Sequence, residues 1–492
     1  MCATLKQYIM ASSLKQQTIS GMIWSSLQRF GTMGISFISN IVLARLLTPD
    51  DYGCIGMLMI FIALSSTFID GGFGSALIQK KRPTTEDYST IFYWNIFLSL
   101  VLYVVLYLCA PLVADFYNIE LLSKVLQVQG VVLIINALGI IQANQLRKQL
   151  KFKALAKVNL AAAITSVVVA IAMAYMGCGI WSLVAQQIVQ SLASTLLYWA
   201  YSSWRPIMSF STKSFKELFG FGAFILLSNL INTFCNNLNG LFIGKFFNAS
   251  SMGYFTQAKK LEDVFSTSIE AVVLQVTYPV LVEVKDNFEK LKNVLKQFNS
   301  LLLYVVAPLM LLLNLLAAPI IDLLLGEQWL PAVPYLEILA FQGIAISLQG
   351  VNYNAIASIG RSKELFQGTI IKRSMSVVLL ISGMYLGGVK GILWGMTISS
   401  YFICFYNSVL VHKFVGYTLF RQFSDLFLII LLNAISYTLA YASNSIVKEG
   451  YILHITMFIV YVISYLLLSF ILKISIIGHI KPLLVKINFI KE

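Results

Sequence analysis

Apolar residues in this chain do not alternate with polar ones at the period of a surface helix or a half-buried strand; they run on in long blocks. Fourteen blocks are long enough to cross a bilayer, at roughly 19–44, 52–79, 90–113, 125–146, 154–176, 179–203, 219–244, 252–282, 297–325, 332–358, 364–387, 391–411, 422–443 and 450–472. The pattern predicts an all-α polytopic membrane protein of about 14 transmembrane helices. The first block is too long for a cleaved signal's apolar region and runs into the repeat described below, so it is expected to be a permanent span. No loop exceeds roughly twenty residues. That leaves no room for a soluble catalytic domain, and the function is expected to reside in the membrane.

Shifted by 200 residues, the chain matches itself. Arg45, Tyr52 and Gly53 fall on Lys245, Met252 and Gly253; Ser66, Thr67, Ile69 and Asp70 fall on Ser266, Thr267, Ile269 and Glu270. At slightly larger offsets Asn144 and Lys153 meet Asn354 and Lys363, and Gly179-Ile180-Trp181 meets Gly391-Ile392-Leu393-Trp394. The repeat unit is therefore six spans, and an even-numbered unit keeps its orientation. Two parallel six-helix bundles around a central cavity are expected, over 1–205 and 206–415, with helices 13 and 14 and a basic tail appended over 416–492.

Composition agrees with the pattern, since 58% of the residues are apolar and 11% charged. The net charge of +14 changes the picture only through its placement. Of 35 Lys and Arg, 24 lie in the terminal segments and every second loop, five lie in the intervening loops (Arg45, Lys124, Lys245, Lys390, Lys448), and six lie within spans. Such segregation is the signature of membrane orientation rather than of nucleic-acid binding, and it places both termini in the cytoplasm. Six scattered cysteines without a CxxC pair indicate neither a disulfide framework nor a metal site.

The six bases within spans are Arg29, Lys157, Lys259, Lys260, Lys372 and Arg373; the acids there are Asp70, Glu262, Asp263 and Glu270. Facing lipid, such a set would cost on the order of 30 kcal/mol, so these groups must face water or one another. Ser25, Arg29, Thr32, Ser36 and Ser39 share one helical face, and Asn229, Asn232, Asn236 and Asn239 form a matching stripe in span 7. Small polar residues also act as interhelical glue. Four Asn together with an Arg about 15 Å deep favour a hydrated cavity. In span 8, Lys259 can pair with Asp263 at i,i+4. Neighbouring Lys372 and Arg373 point about 100° apart, so one of them is expected to face inward. Gly71-Gly72-Phe73-Gly74 reads as a hinge or a close helix contact.

Leu43-Ala44-Arg45-Leu46-Leu47-Thr48-Pro49-Asp50-Asp51-Tyr52-Gly53, Asp70-Gly71-Gly72, Ala76-Leu77-Ile78-Gln79 and Gly179-Ile180-Trp181-Ser182-Leu183-Val184 resemble bacterial polysaccharide flippases of the multidrug, oligosaccharidyl-lipid and polysaccharide exporter superfamily. The resemblance implies translocation of undecaprenyl-pyrophosphate-linked oligosaccharide across the inner membrane by alternating access, for surface polysaccharide such as lipopolysaccharide O-antigen. It implies no enzyme activity and no cofactor, with H⁺ or Na⁺ as coupling ion and a polysaccharide polymerase as neighbouring partner. The residues fit that cargo. Arg29, Ser36, Asn232, Asn236, Lys259, Lys372 and Arg373 are the expected substrate-binding set, and Asp70, Glu270 and Asp263 the expected coupling carboxylates. Gln142, Asn144, Gln145, Gln186, Gln187, Gln190, Gln342, Gln349 and Asn352 add amides for sugar hydroxyls. A multidrug exporter would favour an acid-rich cavity, whereas bases exceed acids here; a lipid II flippase shares the mechanism; a membrane glycosyltransferase or polymerase would need carboxylates or a large external loop for chemistry.

Reporter fusions test the orientation. Those after Lys81, Lys151, Lys292 and Lys413 are expected in the cytoplasm, and those after Asp50, Asn118 and Lys448 in the periplasm. Any pair on the wrong side overturns the span count.

Overall fold

A computed structural model describes residues 2–443 and 450–472; Lys448 and the tail lysines from Lys473 onward, which entered the charge count, lie outside them. Two compact units are formed, one ending at Gly253 and the other beginning at Tyr254. Every regular element among the described residues is helical, with no strand among them. Hydrocarbon supplies no partner for backbone N–H and C=O groups, and the helix closes these bonds within each segment.

The first unit holds α1 (Cys2–Leu46), α2 (Pro49–Asp70), α3 (Phe73–Gln79), α4 (Thr85–Tyr117), α5 (Leu121–Gln129), α6 (Val131–Lys148), α7 (Phe152–Tyr175), α8 (Ile180–Tyr201), α9 (Thr212–Phe246) and the first turn of α10 (Ala249–Val284). The sequence supplies the helix starts. Thr48 and Asp51 close a capping box on α2 with Pro49 in its first turn, and Thr84 and Asp87 do the same for α4. Between α2 and α3 the chain passes through Gly71 (φ 55°) and Gly72 (φ 71°), a left-handed pair that glycine adopts without strain. A Cβ on Gly72 would lie 2.5 Å from the carbonyl oxygen of Gly222, so this glycine run is both a helix break and a close contact with α9. Lys148, ending α6, donates to the carbonyl oxygens that end α3, at 2.7 Å from Leu77. Phe73, Tyr88, Phe92 and Trp204 pack with Leu218 into an aromatic core beside that junction.

The second unit continues α10 and adds α11 (Phe288–Leu315), α12 (Ala317–Leu325), a 3₁₀ turn (Glu327–Ala332), α13 (Val333–Ser358), α14 (Ser362–Val415), α15 (Leu419–Ala442) and α16 (Tyr451–Ile471). Its longest helix, α14, is broken at Gly387–Gly388. Gly383 and Gly391 approach so closely across the break that a Cβ on either would fall about 2 Å from the other's carbonyl oxygen, and the two arms run back along one another. α15 and α16 pack on α11 through Leu311, Leu432, Met457 and Tyr461, and Tyr465 donates to the Tyr304 carbonyl at 2.7 Å.

Among the described residues, ten helices are long and apolar enough to cross a membrane, eleven when the bent α9 is taken as one span. The break in α14 adds a further pass, and α1 and α10, of 45 and 36 residues, each exceed the ~20 residues a crossing needs. The expected all-α polytopic architecture is borne out.

The sequence repeat has a structural counterpart in the first unit, where the amino-terminal turns of α2 and α10 meet reciprocally. A Cβ on Gly53 would sit 1.8 Å from the Ala249 carbonyl oxygen, and one on Gly253 would sit 2.0 Å from that of Pro49. Ser250 donates to Asp50 at 2.7 Å across the same crossing. Backbone, unlike a flexible side chain, cannot yield locally, so any side chain here forces the helices apart. Gly53→Ala and Gly253→Ala should each destabilise the protein by about 1–3 kcal/mol despite alanine's higher helix propensity. Gly34→Ala on α1, where a Cβ meets nothing within 4 Å, is the control. Thermal unfolding in detergent reads the difference, and equal melting of all three would contradict the tight crossing.

Candidate functional site

The polar face of α1 divides in two. Arg29 and Ser36 are exposed, and Arg29 has no side-chain partner among the described residues. Thr32 returns its hydroxyl to the Gln28 carbonyl at 2.7 Å, and Ser39, fully turned inward, accepts from Gln186 of α8 at 3.1 Å. The glue reading therefore holds for Ser39, while Arg29 and Ser36 lie on the open side. On α9, Asn236 is exposed and Asn232 half-buried; Thr233 between them hydrogen-bonds Thr67 of α2 at 3.1 Å. α1 packs chiefly along α7 and α9 along α2, so the two stripes have different neighbours.

Asp70 is the last residue of α2, placed where the glycine pair breaks the helix. Two residues of α6 stand beside it. A Cβ on Gly74 would lie 3.3 Å from Asp70 Oδ1 and 2.9 Å from Asn144 Nδ2, and Arg147 Nη1 donates to Asn144 Oδ1 at 3.5 Å. The nearby guanidinium acts electrostatically on the Asp70 carboxylate. Asn144, one of the amides expected to meet sugar hydroxyls, and Arg147 are made neighbours of Asp70 by α6.

In the second unit, Lys259 lies 3.0 Å from Asp263, as the i,i+4 spacing predicts, and bonds Glu262 as well. Glu262, absent from the sequence-derived set, is the fully buried member at 0% exposure. Its i,i+3 spacing from Lys259 was the available signal. Two α10 carboxylates, Glu262 and Glu270, abut glycines of α13: a Cβ on Gly343 would be 2.8 Å from Glu262 Oε1, and one on Gly350 would be 2.7 Å from Glu270 Oε1. Nothing in the linear pattern marked these glycines as room for carboxylates.

Lys372 is 6% exposed and donates to Asn407 at 3.1 Å, with the rings of Tyr353 and Tyr406 at 5.6 and 5.9 Å. Arg373, next to it, is half-buried. Several of the expected sugar-binding amides are occupied by the protein itself. Gln342 and Gln349 bond Ser400, Asn352 bridges Asn299 and Ser408, Gln145 accepts from Ser202, and Gln187 accepts from Gln129.

Residues 42–334, more than half of the chain, match the family described as polysaccharide biosynthesis protein. The chain belongs to that family. Among its relatives are the teichuronic acid biosynthesis protein TuaB of Bacillus subtilis, 27% identical with 79% of this chain and 81% of the relative covered, and the lipopolysaccharide biosynthesis protein WzxC of Escherichia coli, 23% identical over 80% and 81%. In fold, this polysaccharide biosynthesis protein is similar to the lipid II flippase MurJ in its inward closed conformation, with a TM-score of 0.74 and 16% identity over 93% of this chain and 100% of that one. A multidrug resistance MATE family transporter in its inward-facing conformation gives a TM-score of 0.60 and 16% identity over 80% and 98%.

The Lys259 cluster yields a stability prediction. Lys259→Ala leaves the buried Glu262 beside Asp263 without a counter-charge and should destabilise the protein by about 3–5 kcal/mol, whereas Lys259→Arg keeps the charge and much of the stability. Melting of Lys259→Ala at the wild-type temperature in detergent would show the cluster to be dispensable.

Proposed function

We propose that this polysaccharide biosynthesis protein is a flippase. It carries undecaprenyl-pyrophosphate-linked oligosaccharide from the cytoplasmic to the periplasmic leaflet of the bacterial inner membrane by alternating access, with both termini cytoplasmic and a polysaccharide polymerase as the partner that consumes the product. The observation that carries the reading is Arg29, an exposed guanidinium with no side-chain partner among the described residues, about 15 Å into an apolar block. A permanent cation in that position needs an anionic partner that comes and goes, and a pyrophosphate headgroup is one. The planar guanidinium engages phosphate oxygens through paired N–H groups. Exposed Ser36 and Asn236 and half-buried Asn232 are the uncharged polar groups assigned to the same cargo, and Lys259, Lys372 and Arg373 the bases assigned to it in the second unit. The relatives named for teichuronic acid and lipopolysaccharide biosynthesis support the cargo class.

Asp70, Glu270 and Asp263 are assigned to coupling with H⁺ or Na⁺. A partly buried carboxylate in an apolar segment can take up and release a cation as its surroundings change, and Asp70 and Glu270 occupy equivalent places in the two repeats.

Arg29→Ala should weaken cargo binding about ten- to hundredfold, the range for a lost charge-assisted bond, and Arg29→Lys should weaken it less. In cells, lipid-linked oligosaccharide accumulates on the cytoplasmic leaflet at normal protein levels. Single neutralisations of Arg29, Lys259, Lys372 and Arg373 that all preserve surface polysaccharide would overturn the assignment.

Coupling has its own assay. In reconstituted vesicles Asp70→Asn and Glu270→Gln should abolish the dependence of transport on an imposed cation gradient; gradient-driven transport intact in both variants removes the role.

A further inference from the structure

One cavity of the first unit has Asp70 in its lining, and beyond the coupling role of that carboxylate the reading above gives it none. It lies between α2, α6 and α8 and has a volume of about 310 Å³, at the lower end of the ~300–1,000 Å³ of small-molecule sites. We propose that this cavity is a subsite for a single sugar ring of the lipid-linked cargo; the assignment rests on the flippase reading and specifies where part of the glycan is held.

The lining carries acceptors and donors in the mixture that a polyol requires. Asp70 contributes a carboxylate, which accepts only, and Arg147 a guanidinium, which donates only. Asn144, 5% exposed, uses its oxygen to accept from Arg147, while its Nδ2 is buried with no protein partner. An N–H left in that state costs about 1–3 kcal/mol, which a ligand oxygen recovers. Three hydroxyls at the cavity have their protons committed: Ser194 to the Ser191 carbonyl at 3.0 Å, Thr195 to the Ile135 carbonyl at 3.0 Å, and Tyr198 to Asn159 at 3.1 Å. Their oxygens remain as acceptors.

Each neighbouring class of ligand conflicts with one of these groups. An inorganic anion would suit Arg147 and be repelled by Asp70; a metal or organic cation would suit Asp70 and be repelled by Arg147. An apolar molecule would leave the Asn144 N–H unpaired. A pyranose satisfies all of them, since every hydroxyl both donates and accepts, and its C–H face can rest on the apolar wall of Ile69, Leu133 and Ile140. A volume of about 310 Å³ accommodates a sugar ring. Several other amides read from the sequence as sugar ligands bond within the protein, whereas Asn144, which lines the cavity, keeps an unused buried donor.

Full-length protein in lipid nanodiscs tests this with two probes, the lipid-linked oligosaccharide extracted from the producing cells and bare undecaprenyl pyrophosphate. Wild type should bind the glycosylated carrier about tenfold more tightly than the bare one. Asn144→Ala and the cavity-filling Ala143→Leu should cut that preference about three- to tenfold, the range for one or two hydrogen bonds, without changing affinity for the bare carrier. Retained bare-carrier binding shows that a variant is folded. Independently, after Ser194→Cys, alkylation at position 194 read by peptide mass should be slowed by the glycosylated carrier and not by the bare one, and this decides the matter should Ala143→Leu fail to fold. Full preference in both variants, or no protection at position 194, overturns the subsite while leaving the flippase reading intact. Binding of neither carrier to wild type overturns both.

Discussion

Hydrocarbon offers no hydrogen-bond partner, and each feature of this chain answers that constraint. Backbone groups are closed within helices; side chains that interrupt the apolar runs are closed against one another or stand where water or cargo reaches them. Lys372 shows the internal solution, with Asn407 accepting its proton and two tyrosine rings over its charge. Lys259 shows the ionic one, held between two carboxylates of its own helix. Arg29 has neither among the described residues and stands exposed.

Close helix packing follows from the same medium. Lipid chains are as apolar as leucine, so helices gain little from burying leucine and associate instead through short van der Waals contacts and scattered polar bonds. Glycines supply the short contacts: Gly53 and Gly253 at the crossing of α2 with α10, Gly383 and Gly391 at the turn of α14, Gly72 and Gly222 where α2 ends. Amides and hydroxyls supply the bonds, as in the Asn299, Asn352 and Ser408 chain that joins α11, α13 and α14. A polar residue in a span is therefore ambiguous by itself, and its role depends on whether a neighbouring helix has already used its donors and acceptors. Gln349 and Asn144 are both amides in apolar segments; α14 has taken the first, and the second, which lines a cavity, keeps a buried N–H with no partner among the described residues.

The linear sequence determined the membrane class, the positions of the helices and the repeat, because each is written in properties that neighbours along the chain share: block length, capping residues and matched glycines. Thr48-Pro49-Asp50-Asp51 opens α2 as its chemistry requires, the Gly71–Gly72 pair ends it, and the 200-residue offset reappears in the reciprocal approach of Gly53 and Gly253. Lys259 with Asp263 was legible for the same reason, since helical spacing alone brings them together. What only the tertiary structure decided is which polar groups are already satisfied. Ser39 was indistinguishable from Ser36 until α8 brought Gln186 to it, Lys372 could not be told from Arg373 until α14 folded back to present Asn407, and Asn144 met Asp70 only through the packing of α6 on the end of α2. Periodicity fixes the face a residue occupies on its own helix; the helix that faces it, and the donors that helix has to spare, are set by contacts between segments far apart in the chain.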